Sequence, residues 1–241
     1  MNKKPKIIFS KSYNSYLKIN SDFQKNGWVN IKNKISKISI KKLEKEFNEI
    51  SNRFCGYNFE AAIKKFNKEN KDKLYELCTT VEKSTSHIML MNKFVNILKK
   101  ITPKKNPSIS LGQFVLPGPP NDKRLVYNFH QESNYYKKYK KTIHFHFPIF
   151  NNANLKSGAM SALSKTHKLD RIQENDIQKK RKGFLSIIPK NINKLTKDFE
   201  HVVFDIKVGE LLIFDGNLIH KSNPNLSNNC RVIGIHRMAQ I

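Results

Sequence analysis

The chain predicts an all-β core joined to a helical N-terminal part, an α+β arrangement. Three observations lead there. The first hundred residues carry apolar side chains at helical spacing. From Ser108 onward the apolar runs are short, alternate with polar residues and are broken by Gly, Pro, Asn and Asp turns. And 241 residues are enough to bury a large core in one domain with a helical extension. Many short strands separated by turns suggest a sandwich or a barrel.

Taken in order, residues 1–20 mix Lys, Ser and Asn and read as a loosely held arm. Gly27 to Ile31, within a segment starting at Asp22, reads as a short alternating strand. Ser39 is placed to cap a helix over 39–50, with Leu43, Phe47 and Ile50 on one face. Phe59 to Phe66 is a second helical pattern. Asp72 to Ile101 reads as one long helix, with Leu74, Leu77, Cys78, Val81, Ile88, Met91, Val95 and Leu98 as a core stripe. Pro103 and Pro107 end the helical region. Residues 1–107 thus form the helical part, with one short strand, and 108–241 the β core on which it packs. Strands are expected at 108–116, 125–132, 142–150, 187–188, 201–208, 210–214, 217–222 and 231–236. Pro117-Gly-Pro-Pro-Asn-Asp122 and Asn151 to Gly158 are turns, and Arg171 to Lys182 is a charged surface insertion.

The net charge is +26, from 45 Lys plus Arg against 19 Asp plus Glu. Such a balance suits a polyanionic partner. The lysines are spread along the whole chain, however, and Arg is scarce. A coding bias toward Lys, Asn and Ile explains that distribution better than a dedicated nucleic-acid face does, since such a face concentrates Arg and aromatics. The three cysteines, Cys55, Cys78 and Cys230, make no CxxC pair, which suits reduced thiols in the cytoplasm. MNKKPKIIFSKSY carries no apolar signal core, and no apolar run approaches the roughly 18 residues of a membrane helix. A soluble intracellular protein is expected.

Two stretches carry the chemistry. In Tyr127-Asn-Phe-His-Gln-Glu132, His130 and Glu132 are two apart, so a strand puts both on one face. In VGELLIFDGNLIHKSNPNLSNNCR, residues 208–231, an apolar run meets a hairpin-type Asp215-Gly216 turn. A second run delivers His220, with Ser222 on the same face, and the last strand opens at Arg231. A His and an Arg from adjacent strands then point into one cavity. Two histidines and one carboxylate hold one face of an octahedral iron(II) and leave three positions open.

HQE at 130–132 and GELLIFDGNLIHKSNPNLSNNCR at 209–231 resemble the phytanoyl-CoA dioxygenase family of iron(II)/2-oxoglutarate oxygenases. That family has an HxD pair, a later His and then an Arg, and here Arg231 lies eleven positions after His220. FQKNGWVNIKN at 23–33 is similar to the family's opening strand. Ser157-Gly-Ala-Met160 with Ser164-Lys-Thr-His-Lys168 is similar, in degraded form, to its NGA…GSHK stretch. Glu132 departs from the usual Asp; the extra methylene lengthens its reach and keeps its charge.

The resemblance implies a double-stranded β-helix (jelly-roll) core buttressed on one sheet by the N-terminal helices. It implies an oxygenase that hydroxylates a small molecule, with 2-oxoglutarate and O2 giving succinate and CO2. His130, Glu132 and His220 would hold iron(II), and Arg231 would pair with the distal carboxylate of 2-oxoglutarate through its planar fork. Ser222 would add a hydrogen bond, Gln131 would contact the co-substrate or the groups that support the metal ligands, and His146 would line the co-substrate pocket. His144 and His146 form an HxH pair on one strand face, so a rival metal set is His144, His146 and His220; it leaves His130-x-Glu132 and Arg231 without a role. Tyr135, Tyr136, Lys137, Lys138, Lys140 and Lys141 follow the first ligand pair, and by composition they read either as a cationic rim at the mouth for an anionic or carrier-linked substrate or as a solvated loop of a lysine-rich chain. A jelly-roll module that binds a polyanion without catalysis is the competing class. Succinate release separates the two.

Overall fold

The structure is a computed structural model that describes residues 4–101, 108–122, 126–169, 171–172, 174–177, 187–189 and 191–240. In chain order its elements are β1 (Lys6–Ile8), α1 (Tyr16–Asn26), β2 (Trp28–Ile31), α2 (Lys37–Cys55), α3 (Phe59–Glu69), α4 (Lys71–Glu82) and α5 (Thr85–Ile101). There follow β3 (Ser108–Gly118), β4 (Lys141–Pro148), β5 (Ser161–Leu163), β6 (Glu174–Ile177), β7 (Ile187–Pro189) and α6 (Ile192–Asp198). The chain closes with β8 (His201–Phe204), β9 (Leu211–Asp215), β10 (His220–Lys221) and β11 (Arg231–Gln240).

Two sheets face each other. The larger runs β2-β9-β4-β11-β3 and the smaller β1-β8-β5-β10, while β6 and β7 form a separate ribbon. This is the jelly-roll, double-stranded β-helix architecture, with helices on one side. Its two apolar layers explain the burial pattern. Leu212, Phe214, Ile233 and Ile235 of the large sheet meet Ala162, Val202, Phe204 and Leu218 between the sheets. On the other face Ile143, Phe145, Phe147, Leu211, Ile213 and Val232 meet Phe23, Leu43, Phe47, Phe59, Leu77, Phe94 and Leu98 of the helices. A strand covered on both faces no longer alternates, and all five residues of β9 are buried. Phe94 stacks on Phe145 at 5.3 Å and stands edge-on to Phe147 at 5.6 Å, pinning α5 to β4.

The helices start where side chains meet their free N–H groups. Ser15, Asn58 and Asn70 cap α1, α3 and α4. For α2 the cap is Ser36, whose hydroxyl accepts from the Ser39 N–H, so the cap lies three residues before the Ser39 cap that the sequence suggests. The single helix expected over 72–101 is two. The chain breaks at Lys83-Ser84, and the Glu46 carboxylate of α2 takes the Thr85 and Ser86 N–H groups, both at 2.8 Å, to start α5. The break resets the stripe: His87, Leu90, Met91 and Phe94 are buried while Ile88 is exposed. Within the expected N-terminal arm, Lys6–Ile8 pairs in parallel with β8 and α1 begins at Tyr16.

The strand expected at 125–132 is not a strand. His130 makes a lone bridge with His220, and a 3-10 turn begins at Glu132. The Asp215-Gly216 turn is not a hairpin either: β9 and β10 lie in different sheets, so it is the crossover between them. Pro103 and Pro107, the 107/108 boundary, Leu125, and residues 173 and 178–182 of the 171–182 insertion lie outside the described residues. Among the described residues no helix is long and apolar enough to cross a membrane.

Candidate metal centre

His130 and His220 face each other across one antiparallel bridge. The His130 N–H donates to His220 O at 2.9 Å and the His220 N–H to His130 O at 3.0 Å. Residues paired in this way put their side chains on the same side, and the ring centroids are 4.3 Å apart. Each ring is oriented by its own chain. The Nδ1–H of His130 donates to Asn128 O at 2.7 Å, and that of His220 to Leu218 O at 2.9 Å. Those bonds assign the proton to Nδ1 and leave both Nε2 lone pairs free.

Both lone pairs aim at one carboxylate oxygen. Glu132 Oε1 lies 3.5 Å from His130 Nε2 and 3.9 Å from His220 Nε2. All three ligand atoms fall within 4.8 Å of one another, and all three residues are buried. Two lone pairs and a carboxylate gathered with no proton between them are a set that a cation satisfies. Two imidazoles and a carboxylate on one face is also the donor set that suits non-haem iron(II). Burial, followed by the neighbouring His130, depresses the His220 imidazole to about 3, so it stays neutral and ligand-ready. Burial alone would raise the Glu132 carboxyl. The Arg237 guanidinium, 3.3 Å from Oε1, more than reverses that and holds it well below the usual carboxylate range.

The segment that carries His130 and Glu132 is irregular, so it is held by side chains. Gln131 is fully buried; its Nε2 donates to Asn217 O at 2.8 Å, and its Oε1 accepts the Ile172 N–H at 2.9 Å. The Ser133 N–H donates to Gly216 O at 3.0 Å. The first ligand pair is thereby tied to the β9–β10 crossover that leads to His220. Gly216 is required there, because a Cβ would sit 1.8 Å from Thr142 Oγ1.

Arg231 lies on the inner face of β11, in line with Ile233 and Ile235, while Val232 points to the helices. His220 and Arg231 therefore come from facing sheets, not from adjacent strands. Arg231 is 5% exposed, and among the described residues no carboxylate pairs with it. Its Nη1 donates to Gly158 O, and its Nε has no partner. Burial lowers its pKa to about 10, which leaves it cationic at neutral pH. Its β3 partner in register is Gly118, where a Cβ would come within 3.0 Å of the guanidinium nitrogens. A buried, unpaired fork over a glycine is a cradle for a carboxylate.

The remaining expected residues divide. His146 is on the inner face of β4 and stands edge-on to Phe214 at 4.7 Å. Gln131 is committed at both ends of its amide to main chain, where it anchors the loop that carries His130 and Glu132. The Ser222 N–H donates to Tyr127 O, and among the described residues its hydroxyl makes no hydrogen bond to the histidines or to Arg231. The rival set of His144, His146 and His220 is not assembled. Phe214 stacks on His144 at 5.2 Å and touches His220 at 4.9 Å, so its ring stands between them. Lys140 and Lys141, expected at the mouth, line a separate cavity of about 360 Å³ with Gln24, His167 and Lys168, and Lys141 pairs with Asp215 at 3.2 Å.

Arg237, in contact with Glu132, is a site residue that the motif reading passes over. Its signal is present in the sequence all the same: 231, 233, 235 and 237 share one face of a strand.

The sequence profile of the phytanoyl-CoA dioxygenase (PhyH) family matches residues 23–233. The chain belongs to that family. The match includes His130, Glu132, His220 and Arg231 and stops before Arg237. No curated protein matches the sequence. Solved structures of PhyH-like fold are similar at low identity. EvdO2 from Micromonospora carbonacea var. aurantiaca, solved with 2-oxoglutarate, has a TM-score of 0.63 at 13% identity, over 93% of this chain and 90% of that one. The epimerase SnoN, solved with Fe3+, alpha ketoglutarate and nogalamycin RO, has a TM-score of 0.62 at 9% identity, over 93% and 83%. EvdMO1 has a TM-score of 0.60 at 14% identity; the match covers 91% of this chain and about half, 49%, of that one. These likenesses establish the jelly-roll fold of this PhyH-family chain.

Proposed function

We propose that this PhyH-family chain is an iron(II)- and 2-oxoglutarate-dependent dioxygenase that hydroxylates a small molecule. The observation that carries the reading is the convergence of His130 Nε2, His220 Nε2 and Glu132 Oε1, facing the same interior as Arg231, which meets no carboxylate among the described residues and whose Nε has no partner. His130, Glu132 and His220 hold the metal on one face and leave the opposite side for co-substrate and oxygen. Arg231 takes the distal carboxylate of 2-oxoglutarate in its fork, with Gly118 giving it room. Ile233 and Ile235, both buried, and the partly buried His146 and Leu116 wall the interior against water, and Gln131 keeps the ligand-bearing loop in place. With iron and 2-oxoglutarate bound, the site supplies oxidative decarboxylation by O2 to succinate and CO2, coupled to oxidation of a substrate C–H bond. EvdO2 and SnoN, whose folds resemble this one, were solved with the same keto acid.

The test is anaerobic titration with iron(II) and 2-oxoglutarate, followed by succinate release across a metabolite panel. A visible charge-transfer band that His220→Ala abolishes supports the reading. No band in the wild type, or an unchanged band in His220→Ala, overturns it.

A further inference from the structure

Two guanidiniums face the interior from the same side of β11, and among the described residues one carboxylate, Glu132, pairs with either of them. Arg237 Nη2 is 3.3 Å from Glu132 Oε1, and its Nη1 donates to the Tyr136 hydroxyl at 3.2 Å. Its guanidinium carbon lies 4.5 Å over the Phe114 ring, and its Nε is buried without a partner. The side chain is 21% exposed, so it reaches toward solvent, whereas Arg231 is sealed. The next carboxylate, Glu82, is occupied at the free edge of β3, where it accepts the Val115 N–H at 2.7 Å.

The charges of the loaded site leave Arg237 over. This count rests on the oxygenase reading above. The two positive charges of the metal and the one of Arg231 are matched by Glu132 and by the two carboxylates of the keto acid. The imidazoles are neutral as ligands. The oxygen that Arg237 now holds, Oε1, is the one that faces both histidines, so the metal competes for it. A half-buried cation that loses its counter-charge on loading needs another, because uncompensated buried charge is costly.

We propose that Arg237, backed by the Phe114 ring and the Tyr136 hydroxyl, is a subsite for an anionic group of the prime substrate, placed beside the metal. The planar fork and its free Nε–H suit a carboxylate or a phosphate, and the neighbouring aromatic ring suits the apolar carbon attached to it.

The test is anaerobic calorimetry on full-length protein loaded with Mn(II), which is redox-inert here, and 2-oxoglutarate. Loading is measured first, and failure to load sinks the oxygenase reading before any anion is added. The loaded wild type is then titrated with benzoate, octanoate and phenyl phosphate, each beside its neutral counterpart benzamide, octanamide or phenol. At least one anion is expected to bind about tenfold or more tightly than its neutral partner, as a charge-assisted bond implies. Whether the preference appears in the carboxylate or the phosphate arms identifies the group. Arg237→Gln should abolish the preference, and Arg237→Lys should restore part of it and show that the site tolerates substitution. Arg237→Gln is brought to the same loaded state with saturating Mn(II) and 2-oxoglutarate before the anions are added. The proposal is overturned if no anion beats its neutral partner or if the preference survives Arg237→Gln. It is equally overturned if Arg237→Gln mainly loses Mn(II), which would make the guanidinium a prop for Glu132.

Discussion

His130 and His220 are joined twice by main chain and bonded nowhere through their rings. Reciprocal N–H···O bonds of 2.9 and 3.0 Å fix the two backbones, each Nδ1–H is tied to the carbonyl two residues back, and both Nε2 atoms are left facing Glu132. Such an arrangement gains more from a cation than from anything the chain itself offers.

Metal should therefore stabilise the fold by mass action. With Mn(II) at about 100 times its Kd, the gain is about 2.7 kcal/mol, read as a rise in Tm that a chelator reverses. Glu132→Ala should lose most of the rise. A metal-independent Tm in the wild type contradicts the assignment of these three ligands.

Gly118→Ala tests the Arg231 cradle. The added Cβ would stand 3.0 Å from Nε and Nη2 of a buried guanidinium, so the fork must tilt. The half-saturating concentration of 2-oxoglutarate should rise about tenfold, roughly 1.4 kcal/mol, while Mn(II) affinity is unchanged. Equal 2-oxoglutarate affinity in variant and wild type would place the keto acid away from Arg231.

Acid should unfold the protein through histidines remote from the metal centre. Burial pushes both His87 and His236, on the helix side of the large sheet, down to about 4. A depressed imidazole stabilises the fold fully above its unfolded pKa of about 6.5 and loses that contribution as pH falls from there toward 4. Each can forfeit on the order of 3 kcal/mol across that window. Urea midpoints for metal-free protein should fall steeply between pH 6.5 and 4.5, and His87→Gln should flatten the fall. His144, His146 and His220 are depressed in the same direction and add to it. A midpoint independent of pH in this range would contradict the burial of these rings.

The ligand set was legible in the sequence because it depends on residue type and spacing, which later folding does not alter. The fold brings His130, Glu132 and His220 together, with Arg231 on the facing sheet. The local structure that delivers them was less legible. Alternation at 125–132 suggests a strand, but the segment spends its polar groups on the crossover, through Gln131 to Asn217 and Ser133 to Gly216, and among the described residues its one β-bridge is at His130. Asp215-Gly216 has the composition of a hairpin, and only tertiary pairing decides that β9 and β10 part into different sheets. The split between α4 and α5 depends on Glu46, some forty residues away, capping Thr85 and Ser86. Arg237 was missed because it belongs to no motif; the period of two that puts it beside Glu132 is plain once the strand is known to continue to Gln240.

Thr166 shows how the Ser164–Lys168 stretch reaches the metal centre. Its buried hydroxyl donates to Leu163 O at 2.7 Å and accepts the Ile219 N–H at 2.9 Å, one residue before His220. Thr166→Val keeps the shape and removes the acceptor, so the Ile219 N–H is left buried and unpaired at a cost of about 1–3 kcal/mol. Because that strain falls on the residue adjoining a ligand, Mn(II) affinity should weaken together with stability. Thr166→Ser, which keeps the hydroxyl, should retain most of both. A Thr166→Val protein with wild-type Tm and wild-type Mn(II) affinity would show that the hydroxyl does not support His220.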